Sequence, residues 1–237
     1  MEYMERKLKE EYEKWGLAIN LEENKYESRG EGKEILKYGS GEEIKPCTEW
    51  TYLGTKIDPS GDNTTEIKHK ISQTRKAINA LNSIWWQKTT NNRKLCIYQT
   101  IIQSIIVCGA EVWQIHTTET KKKLSTEMDV LSKSARKSKM ERIKNEYIKE
   151  IMGLKGKLDI MDIIVKKRLQ WYGHVKRMPA ERIPKLIMDG IPRERRKRGR
   201  QKKTWMEGVQ AATTTRNLEP GQWRNRQEWR LDSGRRL

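Results

Sequence analysis

Cysteine is scarce in this 237-residue chain: Cys47, Cys96 and Cys108 form an odd set with no C-x-x-C pair. That excludes a dense disulfide framework and fits a reducing compartment. Apolar residues are also few, 35% with tyrosine included, while another 35% are charged, against about 25% charged in an average globular chain. A large continuous core is therefore not expected. Long hydrophobic runs are missing: the best stretch, Ile101 to Trp113, is interrupted by Gln103 and Glu111, so no membrane span is expected. The amino end, Met1-Glu2-Tyr3-Met4-Glu5-Arg6-Lys7, lacks the apolar centre of a signal peptide, and the chain reads as intracellular.

Positive charge is abundant. Fifty Lys and Arg against 32 Asp and Glu leave a net +18, and the excess is uneven. Residues 1–60 carry ten cations against fourteen anions, residues 121–180 seventeen against seven, and residues 181–237 sixteen against seven. A basic half attached to a slightly acidic one suggests a polyanionic partner, with RNA or DNA the first to test.

Periodicity organises the chain. Residues 1–14 are charged and helix-prone. From Trp15 to Ile57, short apolar pieces separated by Gly30, Gly32, Gly39, Gly41 and Gly54 suggest a small antiparallel β element. Asp58-Pro59-Ser60-Gly61 is turn chemistry, after which Thr64 or Thr65 caps a helix over 65–82 whose stripe is Ile67, Ile71, Thr74, Ile78 and Leu81. Leu95, Tyr98, Ile102, Ile105 and Ile106 repeat that spacing up to Gly109. Leu124, Met128, Leu131 and Ala135 mark a third helix, broken near Arg136 to Lys139. Ser138-x-x-Glu141 is a capping box for the phase Ile143, Tyr147, Ile151, and Asp159 caps a helix reaching about Met178. Two short helices around Trp205 and Trp229 close the chain.

Several motifs resemble one family, the endonuclease and reverse transcriptase proteins of non-LTR retrotransposons, downstream of their catalytic centre. Trp15-Gly16-Leu17-Ala18-Ile19-Asn20 with Lys25 is similar to the palm segment after the catalytic strand, and Tyr52-Leu53-Gly54 with Ile57 to the primer-grip turn. Ile97-Tyr98 through Cys108-Gly109-Ala110-Glu111-Val112-Trp113 resembles the thumb helix, with Cys108 where Tyr is usual. Arg142-x-x-Asn145-Glu146, Gln170-Trp171-Tyr172-Gly173-His174-Val175-x-Arg177-Met178 and Arg198-Gly199-Arg200-x-Lys202-Lys203-x-Trp205 resemble the carboxy-terminal extension, in order. The resemblance implies RNA-templated DNA synthesis by the complete protein, with palm carboxylates holding two Mg²⁺. This chain has no Asp-Asp pair and only Asp58 and Asp62 in its first 128 residues. It is expected to be non-catalytic and to need no cofactor, Mg²⁺ belonging to full-length relatives only.

Expected nucleic-acid contacts fall in two groups. Arg193, Arg195, Arg196, Lys197, Arg198, Arg200, Lys202 and Lys203 form a run that is too charged to order by itself and suits phosphate contact. A solvated linker or a nuclear-import signal is the competing reading. Lys166, Lys167, Arg168, Lys176 and Arg177 interleave with Trp171 and Tyr172 on one helix. For these cations a solvated face and a phosphate face weigh equally, while helical period favours packing over base stacking for the two aromatics. Trp85-Trp86 reads as a filler between helices rather than a stacking platform. Cys96, Cys108, His116 and His174 lack metal-ligand spacing, so no metal site is expected.

The expected fold is mainly α, a thumb-like helical bundle with a small antiparallel β remnant at the amino end and a basic, partly disordered tail. Three regions follow: a palm-end remnant with the primer-grip-like turn Tyr52, Leu53, Gly54 (1–62), a thumb-like helical region (63–190), and a basic tail with short helices (191–237). The expected activity is sequence-independent RNA or DNA binding by a truncated reverse-transcriptase remnant, with the nucleus the favoured location. The alternatives are a helical interaction module, self-associating through exposed apolar faces, or a relic without selected activity.

Overall fold

The computed structural model describes residues 2–18, 20, 25–26, 36–37, 43–47, 50–57, 61–114, 117–190 and 204–235. They group into two compact units, Met1–Glu66 and Ile67–Leu237.

In the first unit, helix α1 (Glu2–Lys14) carries the i,i+3 pairs Lys7–Glu10 and Glu11–Lys14, both at 2.6 Å. Strands β1 (Lys25–Tyr26), β2 (Leu36–Lys37) and β3 (Glu43–Pro46) form a sheet with β3 in the centre, antiparallel to β2 and parallel to β1. The parallel pair departs from the all-antiparallel expectation. The chain between β1 and β3 exceeds the dozen or so residues that a parallel crossover needs. Strands β4 (Trp50–Tyr52) and β5 (Thr55–Ile57) make an antiparallel hairpin whose two-residue turn has both members left-handed, Leu53 at φ 48° and Gly54 at φ 78°. Two positive φ values define the primed turn whose twist matches its strands. Glycine accepts that geometry readily, whereas Leu53 is held there by the hairpin register.

The second unit is helical. Asp62 Oδ1 accepts from the Thr64 amide (3.1 Å) and hydroxyl (2.9 Å) where α2 (Thr64–Ala80) starts, so Asp62 supplies the carboxylate at that helix end. Ile67, Ile71, Thr74 and Ile78 are all buried, as their spacing requires. Next come α3 (Asn82–Trp86) and a rod made of α4 (Asn91–Ile97), a π-helical stretch Tyr98–Gln103, and α5 (Ser104–Val107). The wider turn shifts the helical phase, so Tyr98, Ile102 and Ile106 all reach the interior while Gln99 and Ile101 stay exposed. Gly109, at φ 71°, ends the rod.

Helix α6 (Thr117–Ser134) stops before Arg136, itself left-handed at φ 55°. Only half of the expected Ser138/Glu141 box forms: Glu141 Oε1 accepts from the Ser138 amide at 2.8 Å, but Ser138 Oγ accepts from the Met140 amide at 3.3 Å, and the Glu141 amide donates to the Ser138 carbonyl instead. It closes a 3₁₀ turn at Lys139–Glu141, and α7 (Asn145–Ile151) begins only after it. Helix α8 (Ile160–Lys176) opens on a reciprocal box between Asp159 and Asp162. Helices α9 (Ile183–Asp189), α10 (Trp205–Thr215) and α11 (Arg226–Asp232) complete the described chain.

The interior is divided into three clusters, in keeping with the low apolar content. One gathers Ile78, Trp85, Leu95, Ile102, Leu131 and Met152. A second holds Ile67, Ile106, Trp113, Ile160 and Ile164. The third joins Leu169 to Val209, Ala212 and Trp229. Helix α8 serves the last two and is the spine of the unit.

Candidate nucleic-acid interface

The Trp171-Tyr172-Gly173-His174-Val175 segment lies in the last turns of α8. Gly173 is buried, and a Cβ there would fall inside the Trp229 indole. The absent side chain lets the indole lie on α8, where Nε1 donates to the Leu169 carbonyl at 2.8 Å. Tyr172 flanks the same indole at a ring separation of 6.1 Å, and Trp171 stands beside His174 at 5.6 Å. Tyr172 and Trp229 thus join α8 to α11, while His174 is exposed.

The cations expected on this helix differ sharply in environment. Arg168 is buried, 6% exposed, and its Nη2 donates to the Trp113 carbonyl at 2.7 Å. Burial pushes its pKa down. Arg168 therefore ties α8 to the segment before α6 and does not face a strand, which corrects the reading of it as a phosphate contact. The cause is helical phase: Arg168 shares the inward side of the helix with Ile164 and Val175. Lys176 meets Asp189 at 2.6 Å and lies 5.9 Å from the Tyr172 ring. Arg177 donates to the Trp223 carbonyl at 2.6 Å, and its pKa is lowered first by burial and then by the nearby Arg226. Lys166 and Lys167 are half-buried, Lys166 passing close to Gly234.

The run Arg193, Arg195, Arg196, Lys197, Arg198, Arg200, Lys202 and Lys203 lies outside the described residues. The chain re-enters them at Thr204, whose hydroxyl accepts from the Glu207 amide at 3.2 Å to start α10, and Trp205 Nε1 then donates to the Glu111 carbonyl at 2.9 Å. Tyr52, Leu53 and Gly54 occupy the exposed hairpin turn. Exposed cations that the sequence reading passed over include Arg136, Arg142 and Lys144 between α6 and α7, and Arg224, Arg226 and Arg230 around α11. Their signal was present as the high cation count of 121–237 without a contiguous run.

Lys70, Lys94 and Lys123 are buried as well. Lys94 donates from Nζ to the carbonyls of Trp85 (2.6 Å) and Ser134 (2.9 Å), satisfying the ends of α3 and α6 together; burial, then Arg136, lowers its pKa. Lys123 Nζ sits 3.7 Å from the centre of the Trp113 ring. Trp85 is fully buried with Nε1 donating to the Ile78 carbonyl at 2.9 Å, the filler role expected of it, whereas Trp86 is exposed. Buried in the same unit, the Tyr98 hydroxyl donates to Glu127 Oε1 at 2.7 Å. Burial dominates the upward shift of both groups, offset for Glu127 by that hydrogen bond and by Lys149.

Among the described residues no cluster of three or more His, Cys, Asp or Glu side chains is arranged to hold a metal ion. No helix among them is long and apolar enough to cross a membrane. No protein-family model, curated protein or solved structure matches the chain.

Proposed function

We propose that this chain is the palm end, thumb and basic tail of a non-LTR retrotransposon reverse transcriptase, acting without catalysis as a sequence-independent binder of RNA or DNA. The observation that carries the reading is charge: residues 121–237 hold thirty-three Lys and Arg against fourteen Asp and Glu. Arg136, Arg142 and Lys144 at one connection and Arg224, Arg226 and Arg230 at another are exposed. Arg226 stands near enough to Arg177 to depress its pKa, a like-charge neighbourhood that a phosphate group relieves. The run 193–203 adds eight more cations and serves equally as a nuclear-import signal. The order of the family-like motifs supports the origin, and the lack of an Asp-Asp pair supports the absence of polymerisation.

The test is binding of a labelled random single strand across a salt series. The logarithm of affinity should fall against log salt with a slope of about −0.7 per phosphate contacted. A flat response would defeat the reading.

Helix α9 favours a second reading, an interaction module, because Ile183, Leu186 and Ile187 are 69%, 57% and 74% exposed. That model expects salt-insensitive self-association at micromolar concentration by light scattering.

A further inference from the structure

Where α8, α10 and α11 meet, a cavity of about 290 Å³ is lined by three aromatic residues, Tyr172, Trp223 and Trp229, and by Lys176, Thr213 and Glu219. That volume lies at the lower edge of small-molecule sites, about 300 Å³, and suits a single planar ring system. Trp229 is buried and fixed by its bond to the Leu169 carbonyl, with the Tyr172 ring 6.1 Å away and tilted by 45°. Tyr172 and Trp223, the latter on a 3₁₀ turn at Gln222–Arg224, are only half-buried and keep surface open to a guest. Cations stand directly beside these rings. Lys176 Nζ lies 5.9 Å from the centre of Tyr172, the Arg224 guanidinium 5.6 Å from the centre of Trp223, and Arg177 donates to the Trp223 carbonyl. We propose that this cavity stacks one unpaired base of an RNA or DNA strand on Trp223 and Tyr172, the flanking phosphates meeting the exposed Arg224 and Arg226.

Aromatic rings interleaved with cations are what a single strand requires, since every base has a face to stack and every linkage a phosphate to neutralise. Stacking of this kind does not choose among bases, in keeping with sequence-independent binding. A methylated ammonium is the other guest that aromatic walls and a carboxylate suit. Here such a cation would meet Lys176 in the lining and three arginines around Trp223. Asp189 pairs with Lys176 at 2.6 Å, and Glu228 and Asp232 accept from the Gln222 amide, so Glu219 is left against Arg177, Arg224 and Arg226. The excess of positive charge favours the guest that brings phosphates. The proposal rests on strand binding by the basic half and adds to it a site for the base.

Titration of the full chain with a thymidine decamer and with an abasic decamer of equal length provides the test. The thymidine strand should bind about tenfold tighter or more, the worth of one base stacked on an aromatic ring, and it alone should shift the Thr213 and Gly221 amides saturably by NMR. Trp223→Ala should lose about tenfold for the thymidine strand and nothing for the abasic one, and Trp223→Phe should stay within about threefold of the parent. If Trp223→Ala does not fold, the two strands and the amide shifts of the parent decide. Equal affinity of the parent for both strands, full thymidine-strand binding by folded Trp223→Ala, or shifts of those amides by tetramethylammonium and not by the thymidine strand would each overturn the proposal. Salt-dependent binding of the abasic strand with no effect of the bases would remove the stacking site and leave phosphate binding standing; failure of both strands to bind would remove both.

Discussion

Gly173 shows how one missing side chain sets a local structure. Its vacancy holds the Trp229 indole against α8, with the Leu169 carbonyl as hydrogen-bond acceptor. Gly173→Ala should displace the ring and cost about 1–3 kcal/mol, as overpacking in a full core does; thermal unfolding and near-ultraviolet dichroism will read it. Glu127 makes the second residue-level prediction. A carboxyl whose folded pKa lies above its unfolded value contributes stability below the ordinary carboxylate range and loses it as pH rises through the folded pKa. The Tm of the parent should therefore fall relative to Glu127→Gln as pH is raised from 4 toward 8. A constant difference between the two curves would show that Glu127 does not titrate abnormally.

Among the elements, α6 corrects its own sequence pattern most clearly. Leu124, Met128, Leu131 and Ala135 mark an apolar stripe, yet only Leu131 of these is buried, while Lys123, Thr126, Glu127 and Ser134 are buried beside Val130. Hydrophobic period assumes that polar groups face water. Here Trp113 receives Lys123 and Tyr98 receives Glu127, so polar residues turn inward. Lys94 works at the same scale by satisfying carbonyls at the ends of α3 and α6 with one ammonium group. Lys94→Met keeps much of the volume but leaves both acceptors without that donor, and a loss of about 1–3 kcal/mol in chemical denaturation is expected.

At the scale of the whole molecule, charge and packing divide the basic half differently. Of the five α8 cations expected to face a strand, Arg168 is buried and Lys176 and Arg177 hold intramolecular partners. Binding should therefore depend more on the run at 193–203 and on exposed arginines elsewhere. Replacing Arg195, Arg196, Lys197 and Arg198 with Gln should weaken single-strand binding and reduce the magnitude of the salt slope by up to about 2.8, four contacts at about 0.7 each. Unchanged affinity and slope would remove the run from the interface.

The longer helices followed from amino-acid order, whereas the short α3 and α9 were not expected from it. The stripe of α2, the Asp159 box of α8 and the glycine stop at Gly109 each use contacts within a few residues, which local spacing encodes. The charge imbalance of 121–237 was equally legible, since it is a sum that folding does not alter. Tertiary structure decided which charged residues reach water. Arg168, Lys94, Lys123 and Glu127 find partners 9 to 55 positions away or lie against distant rings. A buried charge is tolerated only where such a partner offsets its lost hydration, and no local pattern records where a distant carbonyl or indole will stand.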